Sequence, residues 1–304
     1  MSLRKGKLMN RGVSTVSSYR DRSDLREKYF EFTPQALYGA DFRPWFEKGG
    51  WSEKYHPNSL IDPEGKILSN VSVMEMDVLL LGDRRSAIQL GAVGTLPDYR
   101  KQGLSAKLIR TVLEKYSNGL VFLFANDSVT DFYPKFGFRK VEEIWFRAAY
   151  PESILGKGKK KHYRILNPNF AQDVEILKRI SSFSLPTTEI FGAMGYGSIL
   201  LFYFLAGESF QFLYDDSENS ILVIGREDKT LWIYDVLCDR RPDLEKLLAS
   251  LGIPEAAEIR FGFSPEKFDI RCEKFEAPFE SPLFVKGEFP VPEKCFKFPI
   301  LAQT

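Results

Sequence analysis

The sequence predicts an α+β chain of two domains, and three observations carry that prediction. The first is length: 304 residues are enough for two ordinary domains with two cores. The second is that strand-like alternation and helix-like four-residue spacing both recur in each half. The third is a weak internal repeat. The order strand, helix, hairpin, strand, helix, strand occurs twice at a period of about 150 residues, in element order and not in residue identity. The boundary is expected near residue 153, giving domains 1–153 and 154–304.

Residues 1–20 are basic and polar, with a first strand expected near Val13–Ser18. Asp21–Tyr38 reads as a helix broken at Pro34. Asp41–Asn58 holds Trp45, Phe46, Trp51, Tyr55 and His56 among glycines and prolines. It reads either as an aromatic mini-core under a loop or as a lid, with Trp45 and Trp51 lining an acceptor site. Asp62–Gly65 is turn material, Ile67–Leu81 supplies one or two strands, and Gly82–Arg85 is a hairpin turn. Ala87–Thr95 is the next strand. Gly103–Ser117 is a helix, because Leu104, Leu108, Val112 and Tyr116 are four apart; Asn118–Gly119 ends it. Val121–Ala125 is an all-apolar strand of the kind buried on both faces. A polar turn and a short helical piece lead to Phe136, capped by Gly137, and Val141–Ala149 is a closing strand.

GKGKKK at 156–161 reads as a solvated linker or an anion-binding patch. Beyond it, Tyr163–Leu166 is strand-like, and Pro168 opens a helix that runs to about Ser182. Phe210–Tyr214 and Ile221–Arg226 form a hairpin, Leu231–Cys238 is a strand, Leu244–Leu251 a helix stopped by Gly252, and Glu258–Phe263 a strand. Phe268–Glu276 and Leu283–Lys286 add strands to a tail that its prolines keep irregular.

Composition removes several function classes. Apolar residues make up 44% and charged residues 27%, which is ordinary for a soluble globular chain. A net charge of +1 gives no electrostatic reason to expect nucleic acid as a partner. The longest wholly apolar run, Ile199–Ala206, is far below the about 20 residues of a membrane helix, so no membrane partner is expected. The N-terminus lacks the apolar core of a signal peptide. Cys238, Cys272 and Cys295 have no metal-like spacing and read as free thiols in a reducing cytoplasm. His56 and His162 are the only histidines, so a zinc site or a histidine-based triad is hard to assemble, and no metal is expected.

Ala92–Leu108, AVGTLPDYRKQGLSAKL, is the stretch with chemistry. It reads as a strand end, a tight basic turn and a helix start. Such a junction aims backbone N–H groups at one spot, where the helix adds partial positive charge and an anionic phosphate can sit. Arg100 and Lys101 add full charges, and Gly103 lets the backbone approach a ligand. Downstream come Asn126, at the end of the VFLFA strand, and Phe132–Phe138, FYPKFGF.

Together these features resemble the GNAT acetyltransferase superfamily over residues 20–150, and within it the enhanced-intracellular-survival type. Pro97, Tyr99, Arg100 and Gly103 fall on its P-x-(aromatic)-R-x-x-G pattern, and Asn126 with F-Y-x-x-x-G-F on its later one. The resemblance implies a mixed, mostly antiparallel central sheet flanked by helices, with acetyl-CoA as cosubstrate and an amine-bearing small molecule or peptide as acceptor. Backbone groups of Val93, Gly94 and Thr95 would bind the pantetheine arm as if it were an extra strand. Arg100 and the amides of Lys101, Gln102, Gly103, Leu104, Ser105 and Ala106 would hold the pyrophosphate. Asn126 would bond the cofactor arm, and Tyr133 would be the general acid. Phenol chemistry agrees: with an ordinary pKa of about 10 against about 8.5 for a thiol, a tyrosine is protonated at neutral pH and can reprotonate a departing thiolate. Tyr133 also reads as a packed aromatic in its Phe-rich cluster. Lys101, Lys107, Lys135 and Arg139 are candidates for the 3′-phosphate or are simply solvated.

Two departures stand out. Ser105 occupies a position where the family usually has Gly or Ala, and the strand into the cradle offers Gln89 where a carboxylate base is often found. Glu75 and Asp77 on the preceding strand or water are the alternatives, and the resemblance to the enhanced-intracellular-survival type implies one more, a C-terminal carboxylate brought in by a folded-back tail at Thr304. The second half has Cys238–Leu244 at the corresponding place, with no glycine, Pro242 at the helix start, and Asp239 and Asp243 to repel phosphate. It reads as a degenerate, cofactor-free copy that shapes the acceptor pocket, or as another β-rich domain. The whole chain reads as an N-acetyltransferase or as a non-catalytic acyl-CoA-binding or protein-interaction module on the same fold. Oligomeric state is not expressed in any motif.

Overall fold

The computed structural model describes residues 12–116, 119–151, 163–207, 210–241, 243–251, 253, 256–276 and 281–304. The GKGKKK run, His162, Pro242 and Gly252 lie outside them.

The first sheet is built on two long hairpins. β1 (Ser14–Ser17) pairs antiparallel with β2 (Tyr55–Ile61), β2 with β3 (Ile67–Leu80), and β3 with β4 (Asp83–Thr95). Ile67–Leu80 is one strand of 14 residues, and the turn after it is Leu81-Gly82, both at positive φ, earlier than the expected Gly82–Arg85. Such a two-residue turn matches strand twist, and Gly82 takes its conformation at little cost. β4 then runs parallel to β5 (Leu120–Phe124) through α3 (Leu104–Lys115), which crosses over the sheet. Leu104, Leu108, Ile109 and Val112 form the buried stripe of α3 and pack on Leu90, Val121 and Leu123. Each contributes roughly 1.5–3 kcal/mol of apolar burial.

α1 (Ser23–Ala36) and α2 (Arg43–Glu47) lie on the other face. Pro34 is inside α1 and does not break it, contrary to expectation. It sits in the last turn, where a missing N–H removes one hydrogen bond near an end that was about to fray. Trp45 and Trp51 are 3% and 1% exposed, stack on each other, and meet Tyr55 and, for Trp51, Phe46 edge-on, so the stretch is an aromatic core.

Strands cross position 153 in both directions. The expected closing strand 141–149 is split: β6 (Arg139–Val141) stays on the first sheet, and β7 (Trp145–Ala149) joins the second. The gap between β5 and β6 is filled by β15 (Leu283–Lys286) from the tail, antiparallel to both. Its Leu283, Phe284 and Val285 are buried, which is what a strand between two neighbours and under helices requires. β9 (Phe191–Met194), unanticipated, pairs with the far end of β3.

The second sheet has the order β14 (Glu273–Phe275), β7, β13 (Glu258–Phe261), β12 (Thr230–Leu237), β11 (Ser220–Glu227), β10 (Gln211–Asp215), β8 (Arg164–Ile165). Only β12 and β13 are parallel among its described pairs, linked by α6 (Leu244–Leu251). α4 (Ala171–Phe183) and α5 (Gly197–Ala206) complete this half. α5 is the apolar run noted in the sequence. Among the described residues no helix is long and apolar enough to cross a membrane.

Candidate active site

The site starts from a bulge. Asn70 pairs with Gly94 and Ser72 with Gly91, so Ala92 and Val93 together oppose Val71. Ala92 takes φ +46° to do this, and Asn70 Nδ2 donates to its carbonyl at 2.9 Å. A bulge bends its strand and re-aims the residues beyond it. On the other side, β4 and β5 pair only from Ala87–Leu120 to Gln89–Phe122, although both strands continue. They diverge into a wedge, and one edge of β4 from Leu90 to Thr95 faces it.

The cradle closes the top of that wedge. Pro97–Tyr99 is a single 3-10 turn, Arg100 Nε donates to the Thr95 carbonyl at 3.2 Å, and Lys101 takes φ +62°. Gly103 is the N-cap of α3 at φ +77°, with no side-chain cap. The first amides of α3 are therefore free of intrahelical and capping partners. A Cβ placed on Gly103 would meet nothing within 4 Å, so that side opens on space. Ser105 is accounted for by its neighbours: its hydroxyl lies 2.7 Å from Thr95 Oγ1 and 3.2 Å from Ser69 Oγ. The hydroxyl ties the helix start to β4 and β3.

Tyr133 stands across the wedge. It opens a 3-10 turn, Tyr133–Phe136, that Gly137 ends at φ +83°. Its ring packs against Phe132, Phe138 and, from the tail strand, Phe284, at centroid distances of 5.3, 6.1 and 5.6 Å. Burial pushes its phenol up to about 12. Among the described residues its hydroxyl has no hydrogen-bond partner.

One cleft of about 830 Å³ is lined by Val93, Gly94, Thr95, Arg100, Lys101, Gly103, Leu104, Ser105, Ala106, Asn126 and Tyr133. Gln102 is the one cofactor candidate outside it; its amide donates to the Asp98 carbonyl at 3.3 Å and props the turn. Of the four basic candidates, Lys101 and Lys135 line the cleft; Lys107 does not, and Arg139 is held by Phe289 and Glu293.

The base candidates separate cleanly. Glu75 bonds the Tyr116 hydroxyl and His56, and Asp77 bonds Arg84 and Ser86. The Arg84 hydrogen bond holds the Asp77 carboxyl below its usual range. Both line a different cleft, at the opposite end of β4. The tail does fold back. Gln89, fully buried, donates to the Ala302 carbonyl at 2.9 Å and accepts from the Thr304 amide at 2.5 Å and the Thr304 hydroxyl at 2.9 Å. Thr304 lines the cleft against Gly91, where any Cβ would come within 2.5 Å of its Oγ1.

Sequence reasoning did not find Phe42 and Phe202, which also line the cleft with their rings 5.2 Å apart. Phe202 comes from α5 of the second half. The one available signal was the apolar run around it.

Residues 14–141 match the family model described as Acetyltransferase (GNAT) domain. This part of the chain is similar to a GNAT acetyltransferase domain. Acyl transfer is the activity of that family, with acetyl-CoA as cosubstrate and amine-bearing acceptors. Among curated proteins none matches the sequence. Among solved structures, a conserved protein from Enterococcus faecalis superimposes with a TM-score of 0.57 at 12% identity, over 90% of this chain and 72% of that one. A GCN5-related N-acetyltransferase from Kribbella flavida gives 0.56 at 13%, over 90% and 71%. Another from Anabaena variabilis gives 0.54 at 11%, over 90% and 72%. At these identities the likeness is one of fold, and it extends past the matched residues into the second half.

The residues present fit acetyl-CoA. The uncapped start of α3 suits a pyrophosphate, the unpaired edge of β4 suits the amides of a pantetheine arm, and the open side of Gly103 leaves room for both.

Proposed function

We propose that the chain is an N-acetyltransferase that moves the acetyl group of acetyl-CoA directly onto a primary amine, with Tyr133 as general acid. The observation that carries this reading is that the uncapped α3 amides and the buried Tyr133 phenol open into one cleft. The amides of Lys101 and Gly103–Ala106, with the Arg100 charge, take the pyrophosphate. Val93, Gly94 and Thr95 take the pantetheine arm along the edge of β4, and Asn126 bonds it from the end of β5.

The acceptor ammonium first loses a proton at the Thr304 end of the cleft, remote from Glu75 and Asp77. Its nitrogen then attacks the thioester carbonyl carbon. The carbon–sulfur bond breaks, the electron pair stays on sulfur, and Tyr133 delivers its proton there. The amide nitrogen sheds its second proton, which restores the phenol through solvent. A phenol at about 12 is a weak donor toward a thiol of about 8.5 in water. The same burial acts on the sulfur, since desolvation disfavours a thiolate as it does a phenolate. Partly buried Cys272 of this chain is itself pushed up to about 11 by that cause. The mismatch therefore narrows inside the cleft.

The test is to incubate the full chain with acetyl-CoA and a panel of primary amines and follow free thiol. Amine-dependent thiol release with acetylated product supports the proposal. Tight acetyl-CoA binding without release for any amine supports an acyl-CoA-binding module instead.

A further inference from the structure

The cleft is divided by charge. Its charged lining residues, Arg100, Lys101, Asp131 and Lys135, all belong to the cradle turn or to the turn before Gly137, at the phosphate end. The other end lies where Gly91 and Thr304 meet. Phe42 belongs to that end: its ring stacks on Tyr55 at 6.3 Å, the Tyr55 hydroxyl donates to Ser72 at 2.8 Å, and Ser72 pairs with Gly91. Phe202 lies against Phe42, and its neighbour Tyr203 donates to the Gln303 carbonyl at 3.1 Å. Phe124, two residues beyond the last β5 pair with Gln89, also lines the cleft, with its ring against Phe122 and Phe298. Among the described residues this compartment has three phenylalanine rings and no charged side chain.

We propose that the acceptor is a primary amine on a flat apolar body, such as an arylalkylamine, and that Phe42 and Phe202 select it. This inference rests on the transferase reading. Three rings at one end of a cleft gain by covering an apolar body. A polycation would carry its further charges into a compartment with no carboxylate side chain to meet them, which is costly. The same environment addresses the missing base. Desolvation disfavours an ammonium, so burial of the acceptor by itself eases the loss of its proton. A specificity residue thus comes from the second half, although the transfer chemistry sits in the first.

The experiment compares kcat/KM for 2-phenylethylamine, spermidine, an aminoglycoside and a lysine peptide on the full chain. 2-Phenylethylamine is expected to lead by about 100-fold. Phe202→Ala should raise its KM about tenfold and leave the KM for acetyl-CoA unchanged; that second value reports a folded cleft. Phe202→Asp should move preference toward spermidine. A wild-type preference for spermidine or the aminoglycoside, or Phe202 variants that change no acceptor KM, overturns the acceptor class and leaves the transferase reading standing. No acetylation of any amine despite acetyl-CoA binding overturns both.

Discussion

The two halves hold the same local arrangement and treat it differently. β4–α3–β5 and β12–α6–β13 are each a strand, a helix and a parallel strand, entered from an antiparallel hairpin. In each sheet the parallel strand is then flanked by an antiparallel strand from the other side of residue 153, β15 beside β5 and β7 beside β13. In the first half the wedge beyond the last parallel pair stays open. In the second it is filled: the Gly262 amide donates to the Ile233 carbonyl at 2.8 Å, the Ile300 amide donates to the Gly262 carbonyl at 2.9 Å, and Phe263 is fully buried below. The helix starts differ as well. Gly103 leaves the amides of α3 free, whereas the Asp243 carboxylate accepts from the Lys246 amide at 3.1 Å and caps α6. One frame thus has an open wedge in one half and a filled wedge in the other, depending on a cap and a plug. The tail joins the two, since Ile300 seals the second wedge and Thr304 reaches the first.

Breaking the open half should have the largest effect. Gly103→Glu puts a side chain and a negative charge into the cradle at a backbone conformation that costs a non-glycine residue about 1–2 kcal/mol. Acetyl-CoA affinity measured by calorimetry is expected to fall more than about 100-fold, because like charge and steric block act together. Retained affinity would place the phosphates elsewhere.

That cradle was legible in the sequence because its determinants are local. Pro97, Tyr99, Arg100 and Gly103 fix a turn and a helix start within seven positions. The stripe of α3 was equally plain, being a helical period on one face. Long-range pairing is not legible in the same way. Nothing in Leu283–Lys286 says that it lies between β5 and β6, because a buried strand looks the same in any sheet that buries it. α5 has no amphipathic period, since Ile199–Ala206 is apolar on every side, and so nothing in it marks Phe202. Gln89 looks in the sequence like a base that is missing; its amide is instead the anchor of the tail.

The exchange of segments between halves is itself testable. Lys297 and Glu143, with side chains 3% and 2% exposed, form an ion pair at 3.0 Å that fixes the tail to the β6–β7 connection. Glu143 also accepts from the Phe298 amide at 2.8 Å, and the Lys297 ammonium lies 4.5 Å over the Trp145 ring. Lys297→Met leaves a buried carboxylate without its partner and should cost about 3–5 kcal/mol. Lys297→Met with Glu143→Leu should recover most of that loss. Denaturant midpoints of the single and double variants give both numbers, and a single variant within about 1 kcal/mol of the parent would mean that the tail does not depend on this anchor.

Within the open half, Tyr133→Phe should lower kcat by about 100- to 1,000-fold, in the range of a lost general acid. Acetyl-CoA affinity should be nearly unchanged, since the ring keeps its packing. The pH profile sharpens the assignment. Burial raises this phenol to about 12, so the proton-donating form persists through the alkaline range, and kcat should show no loss from Tyr133 until pH approaches that value. A fall in kcat with a midpoint near 10, the ordinary phenol value, would mean that burial does not raise this phenol; a Tyr133→Phe variant that keeps the parent kcat would remove Tyr133 from the role.

The smallest effect belongs to the sealed half. Asp243→Ala removes the cap of α6 and should cost about 1 kcal/mol, with acetyl-CoA affinity unchanged, because freeing amides does not make a site while Gly262 and Ile300 fill the wedge. The hydrogen bonds from the Lys246 ammonium and amide hold the Asp243 carboxyl below its usual range. A depressed carboxylate contributes its stability above the unfolded pKa of about 3.9 and loses it as pH falls through the lower folded value. The difference between parent and variant should therefore be constant at neutral pH and vanish as pH falls below the usual carboxylate range. Uncapping that creates acetyl-CoA binding in the second half would show that the cap alone, and not the plug, separates the two halves.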